Sequence, residues 1–210
     1  MSTTDDDGRG RHWESVYRTR PADAVSWFRP HLERSLQLLA AHGLDTTSRV
    51  IDVGGGASTL VDDLLAHGVA EVTVLDLSNA ALQVAQQRLG SRAAAVDWRA
   101  GDITTVPLPA AHYSHWHDRA VLHFLHEPAE LAAYAAQAAR ALQPGGHAVI
   151  GGFGPDGPER CSGLPVARRT PEDIARLLGP AFELRHASHE QHLTPDGKAQ
   201  AFAWAVLQRR

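Results

Sequence analysis

Apolar positions along this chain follow two alternating periods. Arg49 to Val53, Glu71 to Asp76, Ala94 to Ala100, Tyr113 to His117 and His147 to Phe153 are short runs of the length a buried strand needs. Between them the spacing opens to three and four. Leu32, Leu36, Leu39 and Ala40 make one amphipathic face that Gly43 stops, and Leu60, Val61, Leu64 and Leu65 make a second that ends near His67 and Gly68. Ser78 caps a third helix through Arg88, stopped by Gly90, and Pro128 sits in the first turn of an alanine-rich helix reaching Leu142. Strands alternating with helices at this spacing predict βαβ units, hence a parallel sheet covered on both faces. After Phe153 the rhythm changes. A glycine- and proline-rich loop, Gly154 to Pro165, precedes a short helix at about Pro171 to Leu178. Two strand-like runs follow, Phe182 to His189 and Gln200 to Gln208, with turn residues Pro195-Asp196-Gly197 between them, which predicts an antiparallel hairpin at one sheet edge.

The front of the chain reads differently. Residues 1–10 are polar and acidic and are expected to be a disordered leader, with 11–210 forming one domain. Trp13, Val16 and Tyr17 stand at helical spacing, and Pro21 and Pro30 bracket a second aromatic pair, Trp27-Phe28. Either the rings pack on the domain edge, or residues 11–30 form a lid over the first strand's turn.

Composition narrows the function classes. The 210 residues are 43% hydrophobic and 21% charged with a formal net charge of -4, which argues against a nucleic-acid footprint. The single cysteine, Cys161, excludes an internal disulfide and fits a reducing compartment. Neither a signal peptide's apolar stretch nor a run long enough to span a membrane is seen, so the expected location is cytoplasmic. Oligomeric state is not legible.

Candidate chemistry begins at Asp52-Val53-Gly54-Gly55-Gly56-Ala57-Ser58, a strand, a tight turn and a helix start. Glycines let a ligand lie against bare backbone, and a helix start offers unpaired N–H groups. Asp52, Asp76 and Asp102 fall at the carboxyl ends of the first three strands, where ligands of open parallel sheets bind. A carboxylate at the second strand's end suits a ribose diol, and Asp102 suits an adenine amine. A dinucleotide would want Gly-x-Gly-x-x-Gly, but Thr59 stands at the third glycine. A nucleoside bearing a sulfonium and an ammonium suits the carboxylates better.

At these residues the chain resembles the class I S-adenosylmethionine-dependent methyltransferases. Asp52 to Ser58 is similar to their acidic-x-Gly-x-Gly-x-Gly motif, with Ser58 replacing the last glycine; Gln143-Pro144-Gly145-Gly146 resembles their turn before strand five. The resemblance implies a Rossmann-like α/β fold. Its seven-stranded, mostly parallel sheet would run in the order 3-2-1-4-5-7-6, the last strand antiparallel, with helices on both faces. It implies S-adenosyl-L-methionine as cofactor, with S-adenosyl-L-homocysteine as product. Asp76 and Leu77 would then serve the ribose and adenine edge, and Asp102 and Ile103 the adenine. Trp13-Glu14-x-x-Tyr17 is similar to the opening of small bacterial and some protein-lysine methyltransferases, which implies that Tyr17, with Trp13, closes over the cofactor's methionine end.

Methyl transfer from a sulfonium asks mainly for alignment and exclusion of water, and a general base only where the nucleophile arrives protonated. His117 and Asp118, at the mouth of strand four, are the candidate catalytic groups, His117 also as a cofactor contact; alternatively Asp118 caps the next helix. Asp118-Arg119-Ala120 stands where nucleobase methylases carry Asn or Asp followed by two prolines, which argues against a nucleobase acceptor. Trp27, Phe28, Phe153, Cys161 and His192 are candidate substrate contacts. His115 and His117 share a strand face, and His123 and His126 stand three apart on an expected helix, but no zinc-like cluster is seen and no metal is expected. The expected function is methyl transfer to a small-molecule nucleophile such as nitrogen or sulfur. The alternatives are lysine methylation through a channel of Glu14, Trp27, Phe28 and Asp118, a non-catalytic S-adenosylmethionine-binding module, and a nicotinamide oxidoreductase.

Overall fold

A computed structural model describes residues 6–21, 25–194 and 197–210. The order is α1 (Asp6–Thr19), α2 (Glu33–Ala41), β1 (Arg49–Val53), α3 (Leu60–Ala66), β2 (Glu71–Asp76), α4 (Asn79–Leu89), β3 (Val96–Ala100), β4 (Tyr113–Arg119), α5 (Pro128–Ala141) and β5 (Leu142–Phe153). A two-strand hairpin, β6 (Arg160–Cys161) and β7 (Leu164–Pro165), precedes α6 (Pro171–Leu178), β8 (Phe182–Leu193) and β9 (Ala199–Arg209). The large sheet runs β3-β2-β1-β4-β5-β9-β8, which is the expected order once the small hairpin is set aside. β9 is antiparallel to both of its neighbours.

Side-chain alternation along each strand divides the core in two. Val50, Val72, Val74, Val149, Trp204 and Val206 face α2, α3 and α4. Ile51, Leu75, Trp116, Ile150, Ala205 and Leu207 face α5 and α6. Ends are set by local chemistry. Ser78 Oγ accepts the Ala81 N–H at the start of α4, and Thr170 and Asp173 cap α6 reciprocally behind Pro171. Among the described residues no helix is long and apolar enough to cross a membrane.

Several boundaries differ from the sequence expectation. α1 begins at Asp6, so residues 6–10, expected in an unstructured leader, are helical. Their polarity is offset by docking, since Arg9 donates to the Phe124 carbonyl and pairs with Glu130. Met1 to Asp5 lie outside the described residues. β5 begins at Leu142, so Pro144-Gly145-Gly146 lies within a strand instead of before it. β3 begins at Val96, the preceding residues forming a 3-10 turn over Gly90–Ala95. His123 lies in a 3-10 turn, Leu122–Phe124, and His126 beyond it, so the two do not share a helix. The hairpin strands extend to Leu193 and from Ala199; Pro195 and Asp196 lie outside the described residues.

Towards the amino ends of the strands, imidazoles crowd together. The His42 and His147 rings lie 5.5 Å apart and the His115 and His147 rings stack at 6.1 Å. Burial, with repulsion from His115, His42 and Arg185, holds the His147 imidazole down to about 4. The unfolded chain therefore binds a proton here at a higher pH than the fold does. This contribution to stability is present above about pH 6.5 and is lost as pH falls towards 4. Between pH 7 and pH 5 the melting temperature of His147→Gln should drop by about 2–4 °C less than that of the parent. That is the effect of about 1 kcal/mol, allowing for screening of a half-exposed ring. Thermal denaturation at both pH values checks it, because other titrating groups are common to the pair.

Candidate active site

The turn after β1 makes the floor of a cavity at the carboxyl ends of the strands. Gly54 and Gly55 N–H both reach the Leu75 carbonyl, at 2.7 and 3.2 Å. Gly54 has φ +69, and a Cβ there would lie 2.0 Å from Val121 Cγ2. Gly56 has φ +37, and a Cβ there would lie 2.6 Å from Asp76 Oδ2. Only glycine fits both demands. Ser58, the departure from the motif, needs no positive φ, and its Oγ accepts the Leu60 N–H at 3.2 Å.

Asp76 closes β2 at the wall of a cavity of about 110 Å³, with Leu77, Asp102 and Ile103 beside it. Its Oδ1 accepts the Ser78 N–H at 2.8 Å. Burial pushes this carboxyl up to about 7; that N–H opposes the rise, and the charges of Asp52 and Glu14 add to it. Asp102 accepts the Thr104 N–H and hydroxyl at 2.6 and 2.5 Å and lies 4.0 Å from Arg9 Nη2. A smaller cavity of about 50 Å³ adjoins the first, and Tyr17, Trp27, Gly54 and Arg119 line both. Gly55, Ser58, Asp52, His117 and Phe28 line the smaller one.

α1 roofs the larger cavity with Trp13 and Tyr17. Trp27 packs edge-on against Trp13 at 5.6 Å, and its Nε1 donates to Tyr17 Oη at 3.1 Å. Glu14 explains its place between the rings. Its carboxylate accepts the Ser78 hydroxyl at 2.8 Å and the Ala80 N–H at 3.0 Å, so it caps α4 from another helix. The Ala80 N–H leads the effects that lower its pKa. Glu14→Ala should release α1. Proteolytic cleavage within 6–21 is expected to quicken, and the melting temperature to fall by about 2–4 °C, the effect of losing one cap. Limited proteolysis alongside a thermal melt measures both.

β4 supplies three candidates, and the structure separates them. Asp52 and His117 are cross-strand neighbours. His117 Nδ1 donates to Asp52 Oδ1 at 2.7 Å, leaving Nε2 to accept the Ser35 hydroxyl at 2.9 Å. Both ring nitrogens are thus committed, and none is left to take a proton from an acceptor. Asp52 Oδ2, by contrast, is buried with no partner among the described residues, an orphan that suits a cationic ligand group. Asp118 is fully buried and lines neither cavity. It accepts the Tyr134 hydroxyl at 2.6 Å and the Val121 and Leu122 N–H groups at 2.8 and 3.1 Å, which is the capping alternative, on a 3-10 turn. Burial leads in raising it to about 6.

Phe153, Cys161 and Trp27 do line the larger cavity. Burial pushes the Cys161 thiol up to about 11, which leaves it a neutral wall. His192 lines neither cavity. Its Nε2 donates to the Ser26 carbonyl at 2.9 Å and its Nδ1 accepts from Arg29 Nε at 3.0 Å, so it holds the segment before α2. Sequence reasoning missed Arg9, Arg119, Phe124 and Phe202, all of which line the larger cavity. Only Arg119 carried a signal, standing next to the residues singled out on β4. Among the described residues no group of three or more His, Cys, Asp and Glu is arranged to hold a metal.

Comparison with known proteins agrees with this architecture. Residues 50–146 match a family described as methyltransferase domain. Over 101 residues the chain is 34% identical to the ubiquinone/menaquinone biosynthesis C-methyltransferase UbiE of Methylobacterium nodulans, covering 47% of this chain and 39% of that protein. The chain therefore matches about two fifths of the length of that curated relative. The Burkholderia thailandensis 1,6-didemethyltoxoflavin-N1-methyltransferase, bound to its substrate and S-adenosylhomocysteine, superposes with a TM-score of 0.73 at 21% identity, covering 100% of this chain and 91% of that one. N-methyltransferase NodS from Bradyrhizobium japonicum, in complex with S-adenosylhomocysteine, superposes with a TM-score of 0.71 at 20% identity, covering 94% and 98%. Residues 50–146 thus carry the methyltransferase-domain match, and the whole chain has the Rossmann-like fold of S-adenosylmethionine-dependent methyltransferases.

Proposed function

We propose that this protein is an S-adenosylmethionine-dependent methyltransferase acting on a small molecule. The observation that carries the reading is one cavity lined both by Asp76 and Asp102 and by the rings of Trp13, Trp27, Phe124, Phe153 and Phe202. The carboxylates suit a nucleoside and the rings a planar guest. The residues present fit the cofactor. Asp76 offers acceptors for a ribose diol, Leu77 and Ile103 an apolar slot for adenine, and the orphaned Asp52 Oδ2 a counter-charge for an ammonium group. The Gly54–Gly56 turn leaves bare backbone beside them. Bound there, S-adenosylmethionine supplies a methyl group on an electrophilic sulfonium.

The chain's own part is positioning. Trp13 and Tyr17 on α1 close the cavity from above and exclude water, and Trp27 orders Tyr17 through its indole N–H. Of the segment 11–30, residues 11–21 and 25–30 act as a lid, latched by Glu14 on α4; residues 22–24 lie outside the described residues. Holding acceptor and donor aligned contributes on the order of 7–11 kcal/mol in such reactions. His117 holds Asp52 and the α2 wall in place, and Asp118 braces the turn that carries Val121.

A small acceptor is favoured over a protein lysine because the acidic channel foreseen for lysine does not assemble. Glu14 is bound to α4 and Asp118 is sealed in the core. Two of the similar proteins act on nitrogen by name and one on carbon, so the acceptor atom stays open here. The test is turnover of methyl-labelled S-adenosylmethionine against a metabolite extract and a protein extract in parallel. Label is expected in the small-molecule fraction; label in protein, or none in either, would overturn the reading.

A further inference from the structure

We propose that Arg119 recognises the acceptor, and that the acceptor is a planar, conjugated molecule bound as an oxyanion (a carboxylate, phenolate or enolate). This rests on the methyltransferase reading and names its substrate class.

Arg119 ends β4 at the boundary between the two cavities. Its guanidinium lies over the Phe202 ring, 5.1 Å from the centroid. Nη1 donates to the Trp27 carbonyl at 3.1 Å, and Nη2 lies 3.5 Å from His192 Nδ1, which already accepts from Arg29. Of five N–H donors, few are used. Among the described residues no carboxylate lies within ion-pair distance of it; Glu190, the acid whose charge acts on it most strongly, accepts the Trp204 indole N–H. A half-buried cation without a counter-ion carries a desolvation cost, and a ligand anion offsets it.

The backbone supports the placement. Ala120 has φ +76, a left-handed conformation for a residue with a Cβ, and its N–H donates to the Gly151 carbonyl at 2.8 Å. This strained step turns the chain directly behind Arg119. The cavity that Arg119 lines is walled by the rings of Trp13, Trp27, Phe124, Phe153 and Phe202, a lining for a flat guest. Besides Arg9, which pairs with Glu130, two cations serve the two neighbouring spaces. Arg29 lines only the smaller cavity, beside Ser58 and the glycine turn, where it suits the cofactor's carboxylate. Arg119 faces the aromatic wall.

An anionic acceptor also answers the lack of a base. His117, Asp118 and Cys161 are committed, sealed or held neutral, and the carboxylates of Asp52, Asp76 and Asp102 are the ones assigned above to the cofactor. An acceptor held as an oxyanion has its proton removed before transfer. For attack by oxygen, the oxyanion's lone pair forms the bond to the methyl carbon, and the pair of the broken carbon–sulfur bond stays with sulfur. For attack by a conjugated carbon, the enolate pair does the same.

The test uses full-length protein loaded with S-adenosylhomocysteine and matched pairs of probes: 2-naphthoate against 2-naphthamide, and 4-nitrophenolate against 4-nitroanisole. Titrations followed by ligand-observed NMR are expected to show at least one acid binding about tenfold or more tightly than its neutral partner. Arg119→Gln should abolish that preference, Arg119→Lys should keep part of it, and both should bind S-adenosylhomocysteine within about twofold of the parent. The proposal is overturned if no acid binds, if acids and neutral partners bind alike, or if the preference survives in Arg119→Gln. It is also overturned if Arg119→Gln weakens S-adenosylhomocysteine about tenfold yet leaves methylthioadenosine, which lacks the carboxylate, unaffected; Arg119 would then serve the cofactor. Failure of the parent protein to bind S-adenosylhomocysteine would instead remove the methyltransferase reading itself, and this proposal with it.

Discussion

Asp76→Ala is expected to weaken S-adenosylhomocysteine binding by about 100-fold while leaving the fold intact. Two hydroxyl-to-carboxylate hydrogen bonds of about 1.5 kcal/mol each would be lost, and every tenfold in affinity corresponds to about 1.4 kcal/mol. The fold is spared because the carboxylate's one hydrogen-bond partner among the described residues is the Ser78 N–H. The pH dependence carries a sign. Burial pushes Asp76 up to about 7 in the free protein, and ribose hydroxyls donate to the ionised form. Affinity should therefore rise with pH through about 7 and level off above it, with up to one proton released on binding. Asp76→Asn should flatten that profile. Calorimetry between pH 6 and pH 8.5 measures affinity and proton release together; a parent profile falling with pH would show that a different group receives the ribose.

Asp118→Ala is expected to cost about 3–5 kcal/mol of stability, which for a chain of this length lowers the melting temperature by about 6–20 °C. The substitution leaves the half-buried Val121 N–H and the buried Leu122 N–H without this acceptor, and strips the Tyr134 hydroxyl, which itself accepts the Trp116 indole N–H at 3.0 Å. Orphaned buried donors are dear, each about 1–3 kcal/mol. Asp118→Asn keeps an acceptor oxygen and should lose less than half as much stability, with cofactor binding retained. A catalytic Asp118 would behave in the opposite way, with Asn abolishing turnover at an unchanged melting temperature. Thermal melts and methyl-transfer rates on the two variants separate these roles.

Much of the frame was legible because local chemistry and burial agreed. β1, β2 and α6 have the boundaries their patterns predict, since apolar runs end in carboxylates and Thr170-Pro171 starts a helix by itself. The nucleoside end was equally readable, as Asp76 and Asp102 follow from strand ends alone. What failed were choices made by tertiary partners. Asp118 and Arg119 are adjacent, yet strand alternation sends one into the core beneath α5 and the other into the cavity; single-letter chemistry favoured the wrong one. His117 has the side chain of a proton acceptor, but a cross-strand aspartate and a serine from α2 occupy both its nitrogens. Residues 6–10 are polar and become helical only because Arg9 finds acceptors more than a hundred residues away. No window of sequence contains that partner.

The account depends on the space above β1, β2 and β3 accepting a sulfonium nucleoside and not a dinucleotide. Calorimetric titration of the full chain with S-adenosylhomocysteine, and separately with NAD, asks this directly. Saturable one-to-one binding of the first and no binding of the second is predicted. Heat from NAD with none from S-adenosylhomocysteine would contradict the account outright.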